Sequence, residues 1–280
     1  MNPIQSPFSV CMSVYAKDEP LHFRTAVHSI YTHQTIKPNE IVLVVDGPIN
    51  SQLQKIIEEL QLDIDVLKVI YLPENRGHAI SRQTGLEAAS NELIAIMDSD
   101  DISLPNRFEL QLKAFAAYSD VSVVGGIIHE FIGSIDNTVG IRFCPEKDAD
   151  IKQYLKSRSP MNLVTVMFKK SDVLKVGGYI DWYCEEDYYL WVRLTLGGYK
   201  FYNICENLVN VRVGDEMYKR RGGIKYFKSE YTLQKYMYDI DIISFPRYIY
   251  NVLLRLIVQV ILPNNLRGWL FQKFARVKKV

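Results

Sequence analysis

Cysteine is scarce in this sequence of 280 residues, which contains four cysteines that lie far apart. They form no Cys-x-x-Cys pair of the kind that builds structural zinc sites and redox centres. Their spacing also differs from the dense cysteine pattern of small secreted domains that depend on disulfides. We therefore expect a reduced cytosolic protein held together by its core, for which 48% hydrophobic residues are sufficient.

Three further features are missing. The N-terminus lacks the basic region, apolar core and small-residue cleavage site of a secretory signal. No Gly-x-Gly-x-x-Gly follows the β-rich stretch Phe8–Ala16, which argues against a Rossmann dehydrogenase. The mainly apolar stretch Ile249–Leu262 has about 14 residues, short of the roughly 20 that span a bilayer. We expect a cytoplasmic protein in which this stretch does not cross a membrane.

Acidic residues are absent from Phe245–Val280, where seven lysines and arginines occur. The other 244 residues carry a net charge of −6, and the near-neutral total of +1 argues against general nucleic-acid binding. Asn251, Arg255 and Gln259 would form one polar stripe on a helix. Apolar helices edged by Arg, Lys and Trp are typical of anionic membrane surfaces, and we predict this role for residues 245–280. Packing on the rest of the protein or on a twin subunit is the alternative.

Strands and helices alternate over about the first 130 residues, which predicts βαβ units and an α/β fold with a mostly parallel sheet flanked by helices. Further strands and one helix are predicted after Ile128. The predicted strands are Phe8–Ala16, Ile41–Val45, Val66–Leu72, Leu93–Met97, Val121–Ile128, Val164–Lys169 and Phe201–Val213, and the helices are Leu21–Tyr31, Ser51–Leu60, Gly77–Ala89, Pro105–Tyr118 (capped by Ser103) and Asp187–Leu196.

The most informative stretch is Leu93–Met97, which is followed directly by Asp98, Asp100 and Asp101. Its apolar run predicts a buried strand, and open α/β sheets bind ligands at the C-terminal ends of such strands. Asp98 and Asp100 share one side of an extended backbone. Crowded carboxylates favour a hard divalent cation, Mn²⁺ or Mg²⁺, which typically arrives with substrate phosphates. An ordinary acidic turn is the alternative.

Other polar groups are predicted at the same edge of the sheet. Tyr15, two residues after Ser13, could stack on a nucleobase or pack in the core. Asp46 could accept a hydrogen bond from the base or cap an Asp-Gly turn. The loop Asn75–His78 opens a helix whose N-terminus favours anions, and Arg82 on that helix could reach a nucleotide or be a surface cation.

A second acidic cluster, Glu185-Glu186-Asp187, opens a predicted helix. Capping could explain it, because the helix dipole favours acids in the first turn. The functional interpretation is a general base that deprotonates an acceptor hydroxyl. The basic loop Lys219–Gly223, which contains Arg220 and Arg221, could close over a leaving diphosphate or be a solvated turn.

In this order, the segments resemble glycosyltransferase family 2 proteins with the GT-A fold, and within them the branch that builds bacterial exopolysaccharide and O-antigen units. The resemblance covers about residues 8–225 and rests on the ordered set of motifs. The matching segments are Ser9–Tyr15, Ile41–Gly47, Asn75–Gly77 with Arg82 and Gly85, Met97–Asp101 with Pro105, Arg107 and Phe108, Val176–Tyr179, Glu186–Leu194, Val211–Gly214 and Tyr218–Gly223.

The resemblance implies a metal-dependent hexosyltransferase that uses Mn²⁺ or Mg²⁺. Its expected donor is a nucleotide-sugar, with a UDP-sugar favoured, and its expected acceptor is a lipid-linked saccharide at the inner face of the cell membrane. Direct displacement implies inversion, hence a β-linkage from an α-linked donor. The residues carried over are Ser13, Tyr15, Asp46, Asn75, Arg82, Arg220 and Arg221 for the nucleotide, Asp98 for the ribose, Asp100 for the metal, Asp187 as the base and Glu186 beside it.

The sequence departs from the family pattern in three ways. Gln83 stands where many relatives have Asn, and Leu163 where relatives often have His. None of the five histidines lies in the closing loop, where some members use one as a further metal ligand. Asp101 remains a rival metal ligand, and Arg220 and Arg221 would carry more of the phosphate neutralisation.

Two other classes compete with this interpretation. A sugar-nucleotide nucleotidyltransferase shares the layout, but it needs a glycine-rich, lysine-bearing loop where Ala16–Pro20 has no glycine. A non-catalytic sugar-binding or scaffold protein would not need both acidic clusters. We predict a catalytic domain over 1–225, with a nucleotide-sugar half over 1–128 and an acceptor half over 129–225, followed by a helical segment over 226–280.

Overall fold

The structure, a computed structural model, describes residues 6–214 and 222–262. In the first part of the chain, strands and helices alternate as predicted. The strands β1 to β4 are parallel to one another and lie in the order β3-β2-β1-β4. The elements are β1 (Phe8–Val14), α1 (Pro20–Ile30), β2 (Glu40–Val45), α2 (Ser51–Asp63), β3 (Leu67–Tyr71), α3 (His78–Ala88) and β4 (Leu93–Met97).

Beyond β4 the sheet becomes mixed. β8 is antiparallel to both β4 and β6, whereas β6 and β9 form a long parallel pair. The short β5 pairs with β9, and β7 pairs with β6 off the main path of the sheet. The elements are β5 (Ile102–Ser103), α4 (Arg107–Ala117), β6 (Val121–Phe131), β7 (Thr138–Arg142), α5 (Asp148–Leu155), β8 (Met167–Lys169), α6 (Lys170–Lys175), α7 (Glu186–Leu196) and β9 (Lys200–Arg212).

Both faces of the sheet are covered, which explains the unbroken apolar runs in the sequence. In β2, Ile41, Leu43 and Val45 pack into one core, whereas Val42 and Val44 pack into the other. Successive side chains of a strand point to opposite faces, so a strand between two helical layers must be apolar throughout. The α/β fold is confirmed.

One prediction about the start of α4 is wrong. Ser103 does not cap this helix; it lies in β5 and pairs with Val209 of β9. Its backbone N–H donates to the Ser29 hydroxyl at 3.0 Å, which holds the chain extended at that point. The helix begins only at Arg107, with Asn106 before it.

The strand predicted over Val164–Lys169 is also shorter in the structure. A 3₁₀ turn occupies Leu163–Thr165, and β8 begins at Met167. The Thr165 hydroxyl donates to the Asn162 carbonyl at 2.7 Å, and this local bond competes with the sheet ladder.

Within residues 222–262, two helices follow the sheet, α8 (Ile224–Asp239) and α9 (Phe245–Leu256), and α9 continues into a π-helical turn over Ile257–Ile261. α8 shares a core with α7, because Leu233 and Met237 belong to the same cluster as Trp191. Among the residues that the structure describes, no helix is both long and apolar enough to cross a membrane. The predicted division at residue 128 falls inside β6, so the sheet runs through it; the predicted domain bounds stay a prediction.

Candidate active site

The centre of the site is the guanidinium of Arg82, which joins the two acidic clusters. It donates to Glu186 Oε1 at 2.6 Å and to Asp98 Oδ1 at 3.1 Å. Arg82 is 9% exposed and the Glu186 side chain 12%, so this ion pair lies in the interior, whereas the Asp98 side chain is 40% exposed and its pair with Arg82 is partly open to solvent. Burial alone would lower the pKa of Arg82, but the charges of Asp98 and Glu186 raise it overall. One buried cation thus holds α3, the end of β4 and the start of α7 together.

Asp100 lies two residues after Asp98 and is exposed. Partial desolvation raises the pKa of Asp100 to about 6, and the negative charges of Asp98 and Asp18 add to this. The three carboxylates are crowded, and their mutual repulsion is the feature that a bound cation would relieve.

Asp101, the rival metal ligand, has a different environment. It is buried, and its Oδ1 accepts a hydrogen bond from the backbone N–H of Arg212 at 2.8 Å. Burial and the charges of Asp100 and Asp98 raise its pKa well above the usual value. The contact ties the loop after β4 to the end of β9, and it favours a structural role for Asp101.

Asp46 organises the loop after β3. Its two carboxylate oxygens accept from the backbone N–H groups of Arg76 at 2.7 Å and Gly77 at 3.0 Å. The side-chain amide of Asn75 donates to the Asp46 carbonyl at 3.2 Å. A side chain at Gly47 would come within 2.4 Å of the Asn75 nitrogen, so only glycine permits this close approach. Asp46 therefore fixes the loop that opens α3. The hydrogen bond proposed between Asp46 and a nucleobase would use the remaining lone pairs of its carboxylate oxygens.

Tyr15 follows β1 at the same edge of the sheet, and Ser13 lies in β1 beside Val44. The Tyr15 ring is half-buried and lies edge-on to the ring of His78, with centroids 6.4 Å apart. The structure thus brings Tyr15 to the N-terminus of α3, where a nucleotide is expected.

The second acidic cluster lies in the first turn of α7. The Asp187 Oδ1 accepts a hydrogen bond from the backbone N–H of Tyr188 at 2.7 Å. Burial, together with the charge of Glu186, raises the pKa of Asp187 to about 6. Glu186 is instead neutralised by its ion pair with Arg82. Of the two, Asp187 has the properties of a general base that works near neutral pH.

Two residues of the site, Asp18 and Arg107, had no role predicted from the sequence, although Arg107 belongs to one of the motifs that resemble the family. Asp18 Oδ2 accepts from the Tyr15 N–H at 3.1 Å and from the Ser99 hydroxyl at 2.8 Å, so it links the end of β1 to the loop after β4. Its position three residues after Tyr15 is the only signal of this in the sequence. Arg107 lies buried behind β4, where its guanidinium donates to the Ile96 carbonyl at 2.7 Å. Burial lowers its pKa to about 9, although Asp98 and other acids oppose this.

Two predicted nucleotide ligands, Arg220 and Arg221, lie outside the described residues. Among residues 6–214 and 222–262, no three His, Cys, Asp or Glu side chains converge in a way that could hold a metal ion. A cation here would therefore depend on few protein ligands and on oxygens of its substrate, as Mg²⁺ usually does.

Four parallel strands, acids after β4 and a second acidic pair on α7 are the features expected of a glycosyltransferase of the GT-A type. The model of the family described as glycosyl transferase family 2 matches residues 9–173. The chain belongs to this family.

Curated relatives extend the match to nearly the whole chain. The chain is similar to the Escherichia coli UDP-Gal:alpha-D-GlcNAc-diphosphoundecaprenol beta-1,3-galactosyltransferase, with 36% identity over 96% of each chain. It is also similar to the amylovoran biosynthesis glycosyltransferase AmsE of Erwinia amylovora, with 31% identity over 95% of this chain and 98% of AmsE.

Solved structures share the fold at low sequence identity. S. aureus TarS (residues 1–349) in complex with UDP-GlcNAc has a TM-score of 0.67 at 16% identity, over 95% of this chain and 75% of TarS. The mannosyltransferase PcManGT from Pyrobaculum calidifontis, in complex with GDP-Man and Mn²⁺, has a TM-score of 0.62 at 16% identity, over 95% and 73%. The predicted GT-A fold is confirmed.

Proposed function

We propose that this glycosyltransferase transfers a hexose from a UDP-sugar to a hydroxyl of a lipid-diphosphate-linked saccharide, with inversion, during synthesis of a bacterial surface polysaccharide. The observation that carries this proposal is the Arg82 bridge, which brings Asp98 and Glu186 onto one guanidinium. It sets the predicted nucleotide side and the predicted acceptor side of the site next to each other. The acceptor class is supported by the E. coli relative, which acts on GlcNAc-diphosphoundecaprenol.

In this mechanism Asp187 accepts the proton of the acceptor hydroxyl. The oxygen then attacks the anomeric carbon as the bond to the donor diphosphate breaks, so an α-linked donor gives a β-linked product. Glu186 stays paired with Arg82 and orients the acceptor. Because its pKa is raised to about 6, Asp187 is ionised near neutral pH and is still more basic than an ordinary aspartate.

A divalent cation fits the carboxylates at the end of β4, because Asp100 is crowded by the charges of Asp98 and Asp18 and is exposed to solvent. We assign Asp100 as the ligand of Mn²⁺ or Mg²⁺, in line with the Mn²⁺ complex of PcManGT. When bound, the ion would neutralise charge on the diphosphate. Tyr15, Asp46, Ser13 and Asn75 would hold the base and ribose side of the donor.

The reaction is proposed to take place at the inner face of the cell membrane, where a lipid-linked acceptor is presented. Residues 245–280 carry seven basic and no acidic side chains, which suits an anionic leaflet.

The donor class can be tested by calorimetric titration with UDP, GDP and dTDP, with and without Mn²⁺, for the native protein and for Asp100→Ala. We expect metal-dependent binding of UDP that the substitution abolishes. If no nucleoside diphosphate bound under any condition, the transferase proposal would lose its basis and a scaffold role would explain the chain better.

A further inference from the structure

The helix α9 is amphipathic with its polar side turned towards the protein. Asn251, Arg255 and Gln259 form the polar stripe expected from the sequence, and all three are at least nine-tenths buried. The Asn251 amide donates to the Lys156 carbonyl at 2.8 Å and to Gln234 Oε1 at 2.7 Å. Burial of this stripe leaves the other side of the helix outward.

The buried stripe is firmly bonded to the rest of the chain. Arg255 forms an ion pair with Glu230 of α8 and donates to the Ser157 carbonyl at 2.8 Å. The Gln259 carbonyl accepts from the N–H of Gly223 at 2.9 Å. The orientation of α9 is therefore set by specific polar contacts on its inner side.

The outward side of α9 and its π-helical turn is almost entirely apolar, and we refer to it as the α9 apolar face. Its side chains are between 36% and 64% exposed, and they recur every three to four residues along the helix. Contiguous exposed apolar patches of this kind mark interaction or membrane sites on soluble proteins. The face consists of Phe245, Ile249, Tyr250, Leu253, Leu254, Ile257, Val260 and Ile261.

Two cationic side chains lie at one end of this face. A cavity of about 500 Å³ at the N-terminal end of α9 is lined by Lys156 and Arg247, against a single carboxylate from Asp241. From residue 242 to the end of the chain there is no acidic side chain. An apolar helix face flanked by cations matches an anionic bilayer surface, where the face enters the acyl boundary and the cations meet phosphates.

We propose that the α9 apolar face is the surface by which this protein lies on an anionic membrane, with Lys156 and Arg247 contacting lipid headgroup phosphates. This inference deepens the proposed function and rests on its membrane-bound acceptor. The α9 helix lies in the plane of the interface, because its other side is occupied by protein.

The packing of α9 on α8 also connects the proposed membrane surface to the proposed base, Asp187. The Ser229 hydroxyl of α8 donates to the Tyr183 carbonyl at 2.6 Å, and the Trp182 indole donates to the Ser229 carbonyl at 3.3 Å. These residues lie directly before α7, which begins with Glu186 and Asp187. Hydrogen bonds from α8 thus join the helix that packs against α9 to the segment before Glu186 and Asp187.

The proposal is tested by flotation of the full-length protein with phosphatidylcholine vesicles, with and without phosphatidylglycerol. We expect flotation with the anionic vesicles, and its loss in Leu253→Glu/Leu254→Glu. The matched control is Leu62→Glu on α2, since Leu62 is 87% exposed and lies outside the α9 apolar face. Lys156→Gln/Arg247→Gln should weaken binding to anionic vesicles by about fivefold per cation removed. Undiminished flotation of the Leu253→Glu/Leu254→Glu protein would overturn the proposal.

Two further measurements test the alternatives to a membrane at this face, which are a second copy of the chain and residues 263–280. Light scattering without lipid tests a second copy of the chain: a dimer that dissociates in Leu253→Glu/Leu254→Glu, without any vesicle binding, would overturn the proposal. A chain that ends after Leu262 tests the following residues, and vesicle binding that disappears with them would assign the contact to 263–280 instead. Titration with UDP is measured separately, so failure of the membrane proposal leaves the proposed transferase function independently testable.

Discussion

The two acidic clusters of this glycosyltransferase have similar composition but opposite surroundings. Asp98, Asp100 and Asp101 follow a buried parallel strand, whereas Glu186 and Asp187 occupy the first turn of a helix. At the strand end, several carboxylates crowd one another. At the helix start, the helix dipole favours negative charge, and one of the two acids is neutralised by Arg82.

The surroundings of each cluster determine which chemistry it suits. An exposed aspartate among like charges suits a cation with substrate oxygens around it. A single aspartate with a raised pKa beside a paired glutamate suits proton transfer. Substitutions that remove one function and spare the other would sharpen the comparison.

The largest effect is expected for Asp187→Asn. Removal of the base should lower kcat by about a thousandfold, because general base catalysis typically contributes factors of 10² to 10⁴. The affinity for UDP should stay unchanged, since we assign Asp187 to the acceptor and not to the nucleotide. Initial rates and calorimetric titration measure the two quantities. A loss of UDP affinity equal to the loss of kcat would place Asp187 in the nucleotide site and contradict its assignment.

The next largest effect is expected for Arg82→Met, which breaks the contact between the clusters. It leaves the largely buried Glu186 without its cation, and we expect the free energy of unfolding to fall by about 3 kcal/mol. Urea denaturation measures the change. The matched control is Arg24→Met, because the Arg24–Glu59 pair is 41% exposed on both sides and should cost less than about 1 kcal/mol. Equal costs would show that Arg82 does not act as a buried bridge.

Asp100→Asn should weaken the binding of UDP, whereas Asp187→Asn should lower kcat and leave that binding unchanged. We expect the Mn²⁺-dependent affinity for UDP to fall at least about tenfold, because a neutral amide is a poorer ligand for a hard cation. Titration with UDP in Mn²⁺ and in EDTA measures this dependence. Asp101→Asn is the comparison, and a larger loss there would make Asp101 the metal ligand.

The smallest effect concerns pH. The raised pKa of Asp187 predicts that kcat/KM rises with pH up to about 6 and is level above it.

The contribution of Asp187 to the free energy of unfolding changes with pH in the opposite direction. The folded state favours the protonated acid, so the contribution of Asp187 is most favourable below its unfolded pKa and is lost as pH rises through about 6. Asp187→Asn should therefore be about 1–2 kcal/mol more stable than the native protein near pH 8, and no more stable near pH 4. Denaturation at both pH values checks this, and an equal gain at both would contradict it.

Much of the nucleotide half could be predicted from the sequence, because its signal is local. The five apolar residues Leu93–Met97 form β4 with the expected bounds. A strand buried on both faces must be apolar throughout, and such runs are easily identified. The acids after it followed from the position of strand ends in α/β sheets.

The rest depended on contacts between distant residues. The Arg82–Glu186 pair spans 104 positions, and no local pattern indicates it. The strand β7 and the helix α5 lie in a segment whose sequence gave no clear periodicity. The polar stripe of α9 was predicted, but its direction was not, because that depends on partners such as the Lys156 carbonyl.

The central claim is that the chain transfers a hexose from a UDP-sugar to a lipid-diphosphate-linked saccharide with inversion. The most direct measurement incubates the protein with Mn²⁺, UDP-galactose and a synthetic GlcNAc-diphosphate-lipid, and determines the anomeric configuration of the product by proton NMR. The account predicts a β-linked disaccharide, formed by the native protein and not by Asp187→Asn. An α-linked product, or equal transfer by the two proteins, would contradict it.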